Sequence, residues 1–304
     1  MQYIRDVKNL QLHQTAIALG KFDGFHRGHQ LLLEQVSQWQ RQGFTGVIFT
    51  FSTAGASIGS GKHIDSSAEK RKKAEVIGID VFLEYPFTKE FASLEPETFV
   101  QEILLKQLDV KAVAIGRDFR FGKNRKGDAE LLEKLEQDYG FQVRVFDKLK
   151  EGETEISSSV IREAIENGNM ELVTTYMGQG YSVCGEVVHG KRLGHTINIP
   201  TVNLRVPEDK ILPPFGVYGG KITWNGKVYY GIANLGYKPT VSEEKIVGLE
   251  TYIFDFQQDI YGEEIEVELL HFIRPEQKFS GLEELTAQMN KDIEAAKLYF
   301  LQLP

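Results

Sequence analysis

The feature that most constrains this chain is a change of hydrophobic period near residue 180. Over residues 15–149, short apolar runs alternate with helical patterns: AIAL, HQLLLEQVSQWQRQG, GVIFTF, SAEKRKKAEVIG, VFLEY, TFVQEILLKQL, VKAVAIG, DAELLEKLEQDYG and FQVRVF. Strand and amphipathic helix in alternation predict a doubly wound parallel sheet with helices on its faces. A Ser-capped helical pattern, ISSSVIREAIENG, follows. From Tyr181 the chain turns to Val, Ile, Tyr and Thr punctuated by glycine, with candidate strands YSVCGEVV, GVYGGKITW, KVYYGIANL, LETYIFDF and EEIEVELLHFI. The Asn-Gly of WNGK is a hairpin signal between two of them. This half reads as a small antiparallel barrel or sandwich, with the helical pattern LEELTAQMNKDIEAAKLYFLQL packed on it. Two domains, 1–168 and 181–304, agree with a length of 304 residues, which exceeds what one core usually organises.

Charge and cysteine usage narrow the function classes. The 35 Lys+Arg against 43 Asp+Glu give a formal charge of -8, which disfavours a nucleic-acid backbone as the main partner. The single cysteine, Cys184, excludes an intramolecular disulfide framework and a Cys-rich zinc site. It fits a reducing compartment, and the opening MQYIRDVKNL lacks the basic start and apolar run of a secretory signal, so a cytoplasmic location is expected. No run of about 18 apolar residues is present, so no membrane partner is expected and a transporter has no physical basis. Oligomeric state stays open.

The segment ALGKFDGFHRGHQLLLEQV puts a glycine-rich turn between a buried-looking strand and an amphipathic helix, the place where nucleotides bind in α/β sheets. Gly20 and Gly24 let the backbone approach a ligand, and a helix starting near His26 offers unpaired N–H groups to phosphate. His26 and His29, three residues apart, fall on one face of the first turn. In the other half, Pro200-Thr201-Val202-Asn203 sets two hard oxygen ligands on one side of an extended strand, since alternate residues face the same way. Strand alternation in LETYIFDF gathers Glu250, Tyr252 and Phe254 on one face.

Gly-x-Phe-Asp-Gly-x-His-x-Gly-His, residues 20–29, resembles the nucleotidylyltransferase signature of bacterial bifunctional riboflavin kinase/FMN adenylyltransferases (FAD synthetases). GRDFRFGKNRKG (116–127) and ISSSVIR (156–162) match the same family. So, in order, do GEVVHGKRLGHTINIPTVNL, PPFGVY, GIANLGYKPT, LETYIFDF, DIYG and RPEQKF in the second half. The resemblance implies a Rossmann-like adenylyltransferase domain followed by a riboflavin kinase β-barrel domain with a C-terminal helix. It implies riboflavin, FMN and ATP as substrates, with Mg²⁺ as cofactor.

Carried over residue by residue, the resemblance gives His26, His29 and Arg162 phosphate stabilisation during adenylyl transfer, with Gly20, Phe22, Asp23, Gly24, Asp118, Ser157, Ser158 and Ser159 around the nucleotide. Glu250 takes the position of the kinase base, and Thr201 and Asn203 those of the metal ligands. Gly185, His189, Gly190, Pro200, Tyr218, Asn234 and Arg274 are expected around ATP and flavin. Two departures keep a second reading open. His195 stands where the family usually has arginine and Asn198 where it has glycine, so adenylyl transfer alone could be active, with a flavin-binding C-terminal half of weak or no kinase activity. The stretch FSTAGASIGSGKH departs from the family's usual Pro- and His-containing continuation.

Overall fold

The computed structural model describes residues 1–52, 62–189, 199–238 and 246–303. The chain divides into two compact units: Met1–Gly61 with Ser67–Ser157, and Lys62–Ser66 with Ser158–Pro304.

The first unit is built on a six-stranded, wholly parallel sheet of β1 (Gln2–Ile4), β2 (Thr15–Leu19), β3 (Thr45–Ser52), β4 (Val81–Pro86), β5 (Val110–Gly116) and β6 (Gln142–Phe146), in the order β1-β4-β3-β2-β5-β6. Strand alternation splits the apolar runs into two cores. Ile17, Leu19, Val47, Phe49 and Leu83 face one side with Val100, Leu104 and Leu132; Ala16, Ala18, Ile48 and Phe82 face the other with Leu33, Val36 and Trp39. Burial on both faces is why these strands read as nearly continuous apolar runs.

The helices are α1 (Arg27–Gln40), α2 (Ser67–Ile77), the short α3 (Lys89–Ala92) and α4 (Pro96–Thr98), and α5 (Ala129–Tyr139). The expected helix TFVQEILLKQL is present, but with a wider winding: α4 continues as a π-helix over Phe99–Gln107, and the Leu108 N–H reaches back five residues to Ile103 O at 3.1 Å. A small hairpin, β7 (Lys150–Glu151) with β8 (Thr154–Glu155), completes the unit. Sheet order reverses at β2, because the chain builds β3 and β4 on one side of it and then crosses to β5 and β6 on the other. The carboxyl ends of β2 and β5 therefore flank the topological switch point, the ligand crevice of open α/β sheets.

The second unit begins with α6 (Ser158–Glu166) and α7 (Met170–Met177). Its sheet contains β9 (Tyr181–Glu186), β10 (Thr201–Arg205), β11 (Gly216–Trp224), β12 (Lys227–Lys238), β13 (Ile246–Ile253) and β14 (Glu264–Pro275), antiparallel throughout, in the order β10-β13-β12-β11-β14-β9. Irregularities between Val217 and Tyr218 and between Gly219 and Gly220 curl the sheet. Val188 N–H donates to Asn203 O at 2.9 Å, so the two edges meet. The WNGK hairpin is as expected: Trp224 pairs with Lys227, and Asn225 and Gly226 both have positive φ, 47° and 73°. The terminal helix α8 (Leu282–Phe300) lays Ala296 on Val217 and Ile232 of the barrel. The strap Lys62–Ser66 also belongs to this unit. His63 N–H donates to Asp209 O at 2.7 Å, Ile211 N–H donates to His63 O at 2.7 Å, and the fully buried Lys210 donates to Ile64 O at 2.7 Å.

Candidate functional site

In the first unit the chain leaves β2 at Leu19 and turns through residues 20–26 before α1 begins. Phe22, Gly24 and Phe25 all take left-handed backbone, with φ of 46°, 86° and 41°. Gly24 does so at no steric expense. The two phenylalanines do not, and they are held there by burial of both rings. His26 is the N-cap of α1, and its Nδ1 accepts from the His29 N–H at 3.3 Å. The two imidazoles stack at 3.7 Å between centroids, with Phe22 at 5.1 Å from His29.

Burial is the main influence on both rings. It lowers the pKa of His26 to about 4, against the opposing pull of Asp23 and Asp118. It also holds His29 well below the ordinary imidazole value, helped by His26 and Lys70. Both are therefore neutral near pH 7. With Nδ1 of His26 acting as acceptor, its proton sits on Nε2, a donor available to a phosphate oxygen. Nδ1 of His29 is shut away from solvent with no hydrogen-bond partner among the described residues.

Asp23 is buried, while Asp118, just beyond β5, is exposed and lies 3.6 Å from Lys148 Nζ. Sequence reasoning passed over Lys70. From α2 its Nζ donates to Lys21 O at 3.3 Å and lies 3.8 Å from Asp23 Oδ1, tying the glycine-rich turn to a helix remote in sequence. It also passed over an aromatic group at the carboxyl ends of β3 and β4, where Phe51 lies 5.3 Å from Phe87 and 5.5 Å from Phe91. The stretch that departs from the family pattern falls largely in residues 53–61, outside the described residues.

Ser157 immediately precedes α6, Ser158 and Ser159 form its start, and Arg162 is half-buried in the following turn. The helix itself belongs to the second unit.

The second unit encloses a cavity of about 190 Å³, floored by strand residues including Thr201, Asn234, Glu250 and Tyr252 and walled by Leu285 and Met289 of α8. In this lining Thr201 Oγ1 donates to Glu250 Oε1 at 2.8 Å, and Lys238 Nζ donates to Glu250 Oε2 at 3.0 Å. Asn203 is paired with Glu250 across β10 and β13, and Asn234 faces Glu250 across β12 and β13. Thr201 has committed its hydroxyl proton to Glu250, so the lone pairs that remain on Oγ1 suit a hard cation. Among the described residues no group of three or more His, Cys, Asp or Glu side chains could hold a metal ion. The donors here fit a cation that arrives with nucleotide phosphates and keeps few protein ligands.

The remaining expected residues are spread around this unit. Gly185 lies on β9, Pro200 just ahead of β10, and His189 packs against the Tyr261 ring at 3.9 Å. Arg274 lines the cavity, but its guanidinium forks onto the buried Asp292 at 2.7 to 3.1 Å. Tyr218 sits outside the lining: it is fully buried, its hydroxyl donates to Pro214 O, and burial raises its pKa. Its neighbour Val217 faces the cavity instead, as strand alternation requires. Gly190, His195 and Asn198 lie outside the described residues.

Comparisons with known proteins fall on the same two halves. The FAD synthetase family model matches residues 8–160 and the riboflavin kinase model residues 177–300. The bifunctional riboflavin kinase/FMN adenylyltransferase of Listeria monocytogenes is 37% identical over 94% of this chain and 93% of its own length. Those of Bacillus subtilis and Escherichia coli K12 are 37% and 35% identical, over 95% and 99% of this chain and 94% and 98% of theirs. A crystal structure titled as a macrolide-efflux protein from Streptococcus pneumoniae superposes with a TM-score of 0.82 at 30% identity, over 97% of this chain and 98% of that one. That title describes that protein; no helix among the described residues here is long and apolar enough to cross a membrane. With both family models matched in chain order and relatives alike over nearly their full length, the chain belongs to the bifunctional riboflavin kinase/FMN adenylyltransferase family.

Proposed function

We propose that this enzyme phosphorylates riboflavin to FMN within residues 181–304 and adenylates FMN to FAD with the site carried by residues 1–168, using ATP in both steps. The observation that carries the reading is the pairing of two unlike sites with two unlike folds. A stacked, neutral histidine pair sits at the switch point of the parallel sheet, and a Thr201–Glu250 hydrogen bond lies in the lining of a cavity in the antiparallel barrel.

In adenylyl transfer, a phosphate oxygen of FMN forms a bond to the α-phosphorus of ATP in line with the bond to the departing pyrophosphate. No covalent protein intermediate is needed, and positioning with charge stabilisation does the work. Neutral His26 and His29 donate hydrogen bonds to the phosphate oxygens, while Arg162 offers a planar fork to the triphosphate. Gly20, Phe22, Asp23 and Gly24 shape the turn around the nucleotide, with Asp118 and Ser157, Ser158 and Ser159 in supporting roles. The aromatic group around Phe51 and Phe91 suits a planar flavin ring.

In the kinase half, Glu250 orients the ribityl 5′-hydroxyl and accepts its proton as that oxygen attacks the γ-phosphorus of ATP and ADP departs. Thr201 and Asn203 would hold Mg²⁺, which would supply charge stabilisation to the phosphoryl group being transferred. Gly185, His189, Gly190 and Pro200 are assigned to ATP binding by the resemblance, and Asn234 lines the cavity expected to take flavin. Arg274 acts through the wall it supports. The single cysteine and the nucleotide chemistry support a cytoplasmic setting.

The test is a chromatographic time course with riboflavin, ATP and Mg²⁺, resolving FMN and FAD. The intact chain yields FMN first and FAD after it. His29→Ala accumulates FMN, with FAD formation down at least about 100-fold. Glu250→Gln leaves riboflavin unconverted, down about 100-fold or more, yet adenylates supplied FMN. Riboflavin untouched by the intact chain would remove the kinase half of the reading.

A further inference from the structure

We propose that Lys238 is a positioning residue of riboflavin phosphorylation, gripping the second carboxylate oxygen of Glu250 through a channel that Gly248 keeps open. The inference rests on Glu250 being the base.

Both carboxylate oxygens of Glu250 have defined partners from neighbouring strands: Thr201 on β10 holds Oε1 and Lys238 on β12 holds Oε2. The lysine is not opposite Glu250. The register sets Asn234 against Glu250, Gly236 against Gly248 and Lys238 against Ile246. Alternation puts all of these on one face of the sheet, so Lys238 meets Glu250 only by reaching back along the strand pair. Its path crosses Gly248, where an added Cβ would stand 2.6 Å from Lys238 Cγ and 3.2 Å from Cε. The absent side chain at 248 is thus what lets the lysine stem lie flat against the sheet and aim its ammonium at the carboxylate.

Stability gives no reason for this arrangement. The pair is partly exposed, with 26% of the lysine and 35% of the glutamate side chain accessible, and such pairs add little. Its chemical effect is larger. Two donors from strands on opposite sides hold the carboxylate in place, leaving a second lone pair on each oxygen to take the hydroxyl proton. The ammonium also balances a negative charge that would otherwise stand beside the incoming phosphates.

The experiment measures riboflavin phosphorylation in the full-length enzyme carrying Lys238→Met, Lys238→Arg, Gly248→Ala or Glu250→Gln, with melting temperature and adenylylation of supplied FMN recorded for each. Lys238→Met should lower kcat roughly 10- to 100-fold with riboflavin KM within about twofold, at unchanged melting temperature. Lys238→Arg, which keeps the charge, should recover most of the rate. Gly248→Ala should reproduce the loss of kcat with the lysine still present. A wild-type kcat in Lys238→Met, or a rise in KM alone, overturns the role of Lys238; if Glu250→Gln is inactive in the same assay, the base assignment survives. A fully active Glu250→Gln removes the base assignment and this inference with it.

Discussion

His26 is neutral because it is buried, and the same burial ties the stability of the first unit to pH. Its pKa in the fold is about 4, against 6.5 for a free imidazole. In the unfolded chain the ring takes up a proton below about pH 6.5, whereas in the fold it resists until about pH 4. The stabilisation is therefore complete above pH 6.5 and is lost as pH falls from 6.5 to 4, in total about 3 kcal/mol, with His29 shifted in the same direction. Melting temperature followed from pH 7.5 down to 4.5 should fall more steeply for the intact chain than for His26→Asn. Superimposable curves would show that burial does not govern this ring. The pair itself was legible in the sequence, because glycines, histidines, preceding strand and following helix are consecutive. Lys70 and Lys238 were not: each reaches its carboxylate from another element, and nothing local marks a lysine that does so.

Helix α8 shows the same division between elements. Its 3.6-residue pattern announces a helix that packs on the barrel, and it does, through Ala296, Ile293 and Phe300. What the pattern does not contain is the Arg274–Asp292 fork that pins the helix to β14, since a buried aspartate on a helix looks like any polar residue until its partner is known. Arg274, read from sequence as a ligand contact, is largely occupied by this clamp. Asp292 is 1% exposed, so Asp292→Ala leaves a guanidinium beside the cavity without its carboxylate; losing one partner of a buried pair costs about 3–5 kcal/mol. The expected result is a melting transition several degrees lower, with riboflavin KM raised because Leu285 and Met289 sit on the loosened wall. A variant with unchanged KM would show that the wall holds without the clamp. Short elements escaped for other reasons. The three residues of β1 carry too little pattern, and α7 is a run of MELVTTYM whose helical state depends on the Asn169 cap and the left-handed Gly178.

At the scale of the molecule, the change of period marks two folds, yet it conceals that the second one borrows from the first half of the chain. Lys62–Ser66 groups with Ser158–Pro304, and nothing in a hydrophobic pattern announces a five-residue strap separated from its unit by five strands and four helices, β4 to β8 and α2 to α5. Ile64 is fully buried there, worth about 1.5–3 kcal/mol. The contacts from His63 N–H to Asp209 O, from Ile211 N–H to His63 O and from Lys210 Nζ to Ile64 O add about 1 kcal/mol each. Lys210 makes the strap matter most, because its ammonium is 0% exposed and loses a carbonyl acceptor when the strap is absent. A fragment of residues 158–304 therefore lacks on the order of 5 kcal/mol of its native interactions. For a domain of that size this lowers the melting temperature by about 10 °C or more relative to the transition of the same unit in the intact chain. Calorimetry of the fragment beside the full chain measures the difference directly. A fragment as stable as its counterpart would mean that the strap merely rests on the barrel, and that Lys210 finds an equal partner without it.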